Sequence, residues 1–280
     1  MPRLHLVIPV YNEEATLPAC LGRVAAAPLP AGWTRSLILV NDASTDGTRA
    51  LLESQLTAES AEIAETNQDH AERPIILPPS ALSAFPAVKT LHHNRNRGKG
   101  AATRTGFASA LEAADDADAI LVQDADLEYN PADYERLLEP IAQGRARVVF
   151  GTRFGRHYRP TTMALRLHAF GNRLLTELSN WRTGLRVTDM ECGYKVFAAP
   201  VLRRILPMLK EDRFGIEPEI AAAVGAIGER VEEVAVMYEP RSIGQGKKIK
   251  WSDGVAALRV IRRGVRGRTA DSPAPADAPS

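Results

Sequence analysis

The chain has 280 residues, 45% of them hydrophobic, with 35 Lys and Arg against 34 Asp and Glu and a net charge of +1. That length and apolar share fit a large α/β domain with some additions, and the charge balance excludes the global positive field of a nucleic-acid binder. Cys20 and Cys192 resemble neither a metal pair nor a disulfide framework, and no apolar run approaches the roughly 18 residues of a membrane span.

Met1-Pro2-Arg3 leads into a strand-like run with no signal peptide, so the expected location is cytoplasmic, peripheral at most on the inner face of the membrane. Residues 4–10 read as a strand that leaves the sheet near Pro9, followed by Tyr11-Asn12-Glu13-Glu14 and a helix over 15–25 with Leu17, Leu21 and Val24 at helical spacing. A second strand, 36–40, empties into Asn41-Asp42-Ala43-Ser44-Thr45-Asp46-Gly47-Thr48 and a helix from about Arg49. Residues 53–86, dense in acids and then in prolines, read as a surface insertion. After a strand at 88–91, Gly98-Lys99-Gly100 opens a helix near Ala101, whose free amides and positive end suit an anion, with Lys99 as an added charge. The P-loop spacing is absent.

The apolar run 117–122 ends in Gln123-Asp124-Ala125-Asp126. Residues two apart on extended backbone share a side, so Asp124 and Asp126 can present carboxylates to one point. Two such groups suit a hard divalent cation, Mg²⁺ or Mn²⁺; the plainer alternative is a strand end capped by turn-forming aspartates. A helix over 131–141 follows, then a strand, 147–150, that delivers Gly151-Thr152-Arg153-Phe154. Residues 161–181 read as one long helix or two. Beyond them comes Val187-Thr188-Asp189-Met190-Glu191-Cys192-Gly193-Tyr194-Lys195-Val196-Phe197, whose plainer reading is a turn between elements. Glu217 and Glu219 sit in the first turn of another helix, where they favour its dipole. Near-continuous apolar strands alternating with helices predict an α/β fold, a mostly parallel central sheet with helices on both faces, and ligands at the carboxyl ends of its strands.

The end of the chain differs in charge. Residues 241–268 hold nine Lys or Arg and one acid, Asp253, which implies an anionic partner; over 253–265 apolar residues and arginines interleave at helical spacing. Such a helix either lies on an anionic membrane surface or packs on its own domain with a solvated arginine face. Residues 269–280 have the composition of a disordered tail.

Four motifs in order, Ile8-Pro9-Val10-Tyr11-Asn12-Glu13-Glu14, 40–48, Asn96-Arg97-Gly98-Lys99-Gly100-Ala101-Ala102 and 123–126, resemble those of family 2 glycosyltransferases with a GT-A fold. Gly151-Thr152-Arg153-Phe154 and the 187–197 string further resemble the polyprenyl-phosphate subgroup, as does the loop carrying Arg241, Lys247 and Lys248. The resemblance implies a catalytic domain over 1–240, a basic acceptor loop and amphipathic helix over 241–268, and a UDP- or GDP-hexose donor. Nucleotide contacts are expected from Pro9, Tyr11, Glu13, Asp42, Lys99 and Asp124, and metal contacts from Asp124, Asp126 and Glu128. Arg153, Arg241, Lys247 and Lys248 are expected to meet the acceptor phosphate. Asp126, Arg153, Asp189 and Glu191 are the expected catalytic residues, and Lys195 an accessory cation. The implied reaction is a metal-dependent inverting transfer of glucose or mannose to a polyprenyl phosphate; the alternatives are transfer to a glycan or lipid hydroxyl, and a non-catalytic nucleotide-sugar or membrane-binding module.

Overall fold

A computed structural model describes residues 1–61, 85–155, 162–240 and 251–264. Its strands are β1 (Arg3–Val10), β2 (Thr34–Asn41), β3 (Val88–His92), β4 (Ala119–Val122), β5 (Val148–Thr152), β6 (Lys195–Ala198) and β7 (Glu232–Ala235). They form one sheet in the order β3-β2-β1-β4-β6-β5-β7. Every pairing is parallel except those of β6, which runs antiparallel to both β4 and β5.

The helices are α1 (Leu17–Ala26), α2 (Thr48–Ala61), α3 (Lys99–Ala113), α4 (Tyr134–Ala142), α5 (Met163–Thr183), α6 (Ala199–Ile205), α7 (Ile216–Ala226) and α8 (Trp251–Arg263). Strand alternation sorts the core onto two faces. Leu4, Leu6, Ile8 and Val10 of β1 pack with Leu17, Leu21 and Val24 of α1 and with Leu137 and Leu138 of α4. Val7 packs on the other side, with Phe107 of α3 and Ile216 and Ile220 of α7. The expected layers are therefore present.

Two features differ from the expectations, and the packing of α8 matches one of the two readings left open for it. α2 continues to Ala61, so the stretch expected as an insertion from Glu53 begins inside a helix; residues 62–84 lie outside those described, and Phe85 is buried in the core. The segment read as a turn ends in a strand, β6, followed at once by α6. α8 buries Ala257, Val260 and Ile261 and packs against α5 and α7, so its inner face belongs to the domain. The 269–280 tail lies outside the described residues.

The antiparallel β6 positions the site. Leu121 pairs with Val196, so the segment leading into β6 arrives at the edge where β1, β2, β4 and β5 end. Residues 189–194 thus meet the turn after β4. β1, flanked by β2 and β4, is where the chain reverses its direction of spread, the crevice in which open α/β sheets bind ligands.

Candidate active site

Three turns leave the carboxyl ends of β1, β2 and β4, and each contains a non-glycine residue in the left-handed region: Asn12 at φ 52°, Ala43 at φ 56° and Leu127 at φ 65°. Such conformations persist where surrounding bonds hold them. The first two turns are stitched together. The Asn12 amide donates to Ser44 Oγ at 3.0 Å, the Thr45 amide to Asn12 Oδ1 at 2.8 Å, and the Glu13 amide to Thr48 Oγ1 at 3.0 Å. Glu13 is 8% exposed and its Oε2 accepts from the Thr16 hydroxyl at 2.5 Å; Pro9 and Tyr11 are half-buried beside it.

Asp42 is buried and acts as the anion of the α3 entrance. Its Oδ1 accepts from the Arg97 amide at 2.9 Å and stands 2.7 Å from His93 Nδ1, and its Oδ2 accepts from the Gly98 amide at 2.6 Å. The Ala101 amide donates to the Asp212 carbonyl at 3.0 Å. The amides expected to be free for a phosphate are in these cases taken within the chain, because Asp42 and the 211–213 backbone close over the turn. Gly98, at φ 102°, has no room for a Cβ, which would stand 2.5 Å from the Asp212 carbonyl.

Lys99 is held between two carboxylates, its Nζ 2.9 Å from Asp124 Oδ1 and 2.9 Å from Glu217 Oε1. Burial works against its charge, but Asp124 and Glu217 outweigh that and raise its pKa above the ordinary lysine value. Glu217 thus joins the site, although in sequence it was legible only as a first-turn acid of α7.

The turn after β4 is fixed by aromatic residues. Gln123 is buried, and its Oε1 accepts from the hydroxyls of Tyr134 and Tyr194, each at 2.6 Å. Tyr129 stacks on Tyr194 with ring centroids 4.7 Å apart, and its hydroxyl accepts from the Gly193 amide at 2.8 Å. Asp126 Oδ1 accepts from the Glu128 amide at 3.1 Å, and Glu128 Oε2 accepts from the Tyr238 hydroxyl at 2.9 Å.

Among the described residues no three His, Cys, Asp or Glu side chains form a group able to hold a metal ion by themselves. Asp124 and Asp126 still suit Mg²⁺ or Mn²⁺, which is commonly held by one or two carboxylates and otherwise by water and substrate phosphates. Asp124 already has Lys99 as a counter-charge.

On the β5 side, Arg153 Nε and Nη2 each donate to Asp189 at 2.7 Å, and the Arg153 amide donates to Asp189 Oδ2 at 2.9 Å. Glu233 of β7 accepts from the Thr188 amide at 2.7 Å and from the Asp189 amide at 3.2 Å, fixing the backbone that presents Asp189. The Arg153 guanidinium carbon lies 5.2 Å from the Tyr238 ring centroid, so Tyr238 links Arg153 to Glu128.

Lys195, at 1% exposure, donates to the carbonyls of Met190 and Cys192 and lies 4.9 Å from the Phe150 ring centroid; burial lowers its pKa. Glu191 Oε1 is buried with no hydrogen-bond partner among the described residues. Burial, then the charge of Glu217, pushes the Glu191 carboxyl up to about 7. Arg241, Lys247 and Lys248 lie outside the described residues. Gln123, Tyr129, Tyr238, Glu217 and Glu233 are additional site residues; of these only Gln123, inside the quoted motif, carried a sequence signal.

The glycosyl transferase family 2 model matches residues 5–206. Undecaprenyl-phosphate mannosyltransferase of Micrococcus luteus is 27% identical over 269 residues, covering 95% of this chain and 96% of that relative. Undecaprenyl-phosphate 4-deoxy-4-formamido-L-arabinose transferase of Aeromonas hydrophila is 27% identical over 244 residues, covering 87% of this chain and 62% of that relative. The fold matches glucosyl-3-phosphoglycerate synthase of Mycobacterium tuberculosis solved with UDP, at TM-score 0.58 and 15% identity, covering 94% of this chain and 79% of that one. The same enzyme solved with Mn²⁺, UDP and phosphoglyceric acid gives TM-score 0.56 at 16% identity, covering 87% and 73%. The chain therefore belongs to glycosyl transferase family 2 and is a glycosyltransferase with a GT-A fold.

Proposed function

We propose that the protein transfers a hexose from a UDP- or GDP-linked donor to a polyprenyl phosphate, with Mg²⁺ or Mn²⁺ bound at Asp126 and Asp124. One observation carries this reading: the antiparallel entry of β6 brings Asp189, Glu191 and Gly193 against the Asp124 turn and Arg153 at one sheet edge. The names of the two relatives, both undecaprenyl-phosphate sugar transferases, support the acceptor class. A divalent ion supplies neutralisation of the charge that grows on the departing nucleoside diphosphate. Lys99 holds Asp124 in place, and the turns of Glu13 and Asp42 border the crevice expected to take base and ribose. Arg153, its guanidinium plane fixed by Asp189, stands on the acceptor side as a donor to phosphate oxygens. A phosphate monoester, whose second pKa is about 6, is largely dianionic at neutral pH and attacks without a general base.

A second reading rests on Glu191. A carboxyl with a pKa of about 7 and an unpartnered oxygen in the site suits a general base for a hydroxyl acceptor. Incubation of labelled donors with polyprenyl phosphate and with glycolipid hydroxyl acceptors separates the two. The leading reading predicts a lipid product whose sugar is released by mild acid, and an acid-stable glycoside would replace it with the second.

A further inference from the structure

α5 carries apolar residues on both sides. The side chains it buries fully are small or polar, Ala169, Asn172, Thr176 and Ser179, none more than 8% exposed, and Leu175 and Leu178 pack partly buried against the core. Those it leaves in solvent are large and apolar: Met163 is 75% exposed, Leu167 63%, Phe170 67%, Leu174 63% and Trp181 77%. At about 100° per residue these five fall in one narrow arc opposite the buried row, and they run along about 27 Å of helix axis. A helix that only covered its own domain would turn polar side chains to solvent along this arc, and a contiguous exposed apolar stripe marks a surface with an occupant.

We propose that this face docks on an anionic lipid bilayer, with α5 lying in the plane of the interface. Exposed arginines border the stripe, Arg166 and Arg173 on one flank, where Glu177, the one acid of the helix, also lies, and Arg182 on the other. Arginines at both edges of an apolar face fit lipid phosphates, whereas a two-fold pairing with a second copy would set arginine rows near one another. The face also adjoins the site. The Arg173 guanidinium carbon lies 5.2 Å from the ring centroid of Phe154, the residue after Arg153. At the other end, Arg182 Nη2 donates to the Arg262 carbonyl at 3.1 Å, tying α5 to the arginine-bearing α8. The purpose of this docking rests on the polyprenyl-phosphate reading, since it brings the acceptor-side arginine to the depth of lipid headgroups; the docking itself does not.

The test is co-sedimentation of the full chain with phosphatidylcholine vesicles, with and without phosphatidylglycerol, for wild type and the triple variant Leu167→Ser, Phe170→Ser, Leu174→Ser. Wild type is expected to bind the anionic vesicles, and the variant, folded by circular dichroism, to bind at least about tenfold more weakly. Turnover is then compared on a water-soluble short-chain polyprenyl phosphate and on a long-chain one embedded in vesicles. The variant should keep the first and lose the second. Equal vesicle binding by both proteins, or a wild-type dimer that ignores vesicles and that the variant dissociates, overturns the proposal. Vesicle binding lost in the variant while wild type turns over neither acceptor would retain the docking and remove the acceptor reading.

Discussion

Asp189 grips Arg153 at three points, through Nε, Nη2 and the backbone amide, with Asp189 fully buried and Arg153 8% exposed. Arg153 in this family context was expected to meet a phosphate; the structure adds that a carboxylate already fixes the plane of its guanidinium. Bidentate geometry of this kind orients the group as well as neutralising it.

Asp189→Asn retains the shape of the side chain but leaves a buried guanidinium without its counter-charge. The expected cost is about 3 kcal/mol of folding stability, because one partner of a buried pair is removed while the other stays. Urea denaturation checks it, and a loss below about 1 kcal/mol would mean that water reaches the pair.

Gly193→Ala should act on Asp124 from across the site. A Cβ there would lie 2.5 Å from Asp124 Oδ2 and 3.1 Å from the Tyr129 ring, so the carboxylate must shift away from the position it shares with Lys99. Displacements near 1 Å in such sites cost on the order of 100-fold in rate. Turnover should fall by that order in a variant that remains folded, and wild-type turnover would show that the placement of Asp124 is immaterial.

Glu191 predicts a pH dependence of stability. Its carboxyl titrates near 7 in the fold against an ordinary 4.5, because of burial and then the charge of Glu217, with Lys195 and Arg153 opposing and Asp189 adding to the rise. Between those values the unfolded chain has released a proton that the native chain retains, so this group makes stability fall as pH rises from about 4.5 to about 7, and no further above that. Glu191→Gln should remove that slope and exceed wild type above pH 7 by on the order of 1 to 3 kcal/mol. Denaturation curves at about pH 5 and pH 8 measure it; the same slope in both proteins would assign it elsewhere.

The parallel half of the sheet was legible because β1, β2 and β4 are runs of apolar residues that end in turn-forming polar clusters, a local pattern. β6 was not, since it opens on Lys195 directly after Cys192-Gly193-Tyr194. Nothing in sequence says that the carbonyls of Met190 and Cys192 and the Phe150 ring will receive that ammonium. β7 carries Glu232 and Glu233 in four residues, and Glu233 is a strand residue whose task is set by its neighbour Asp189. For α5, helical periodicity was readable, but periodicity gives a stripe and not the side on which the domain lies. The site divides in the same way. The turn motifs named Asp42, Asp124 and Asp126, whereas the pairing of Lys99 with Glu217 and the clasp of Tyr129 on Gly193 depend on segments more than 60 residues apart.

The most direct test of the account is thermal unfolding of wild type and Asp126→Ala with UDP, GDP and dTDP, each with and without Mn²⁺. Ligand in about a hundredfold excess over its Kd stabilises a native state by about 2.7 kcal/mol, which for a chain of this size is a rise in Tm of about 4 to 5 °C. One nucleotide should produce that rise in wild type only when Mn²⁺ is present, and should produce none in Asp126→Ala, whose fold and own Tm stay near wild type. The same metal-dependent rise in Asp126→Ala, or a wild-type rise indifferent to Mn²⁺, would contradict the assignment of the ion and the diphosphate to the turn after β4.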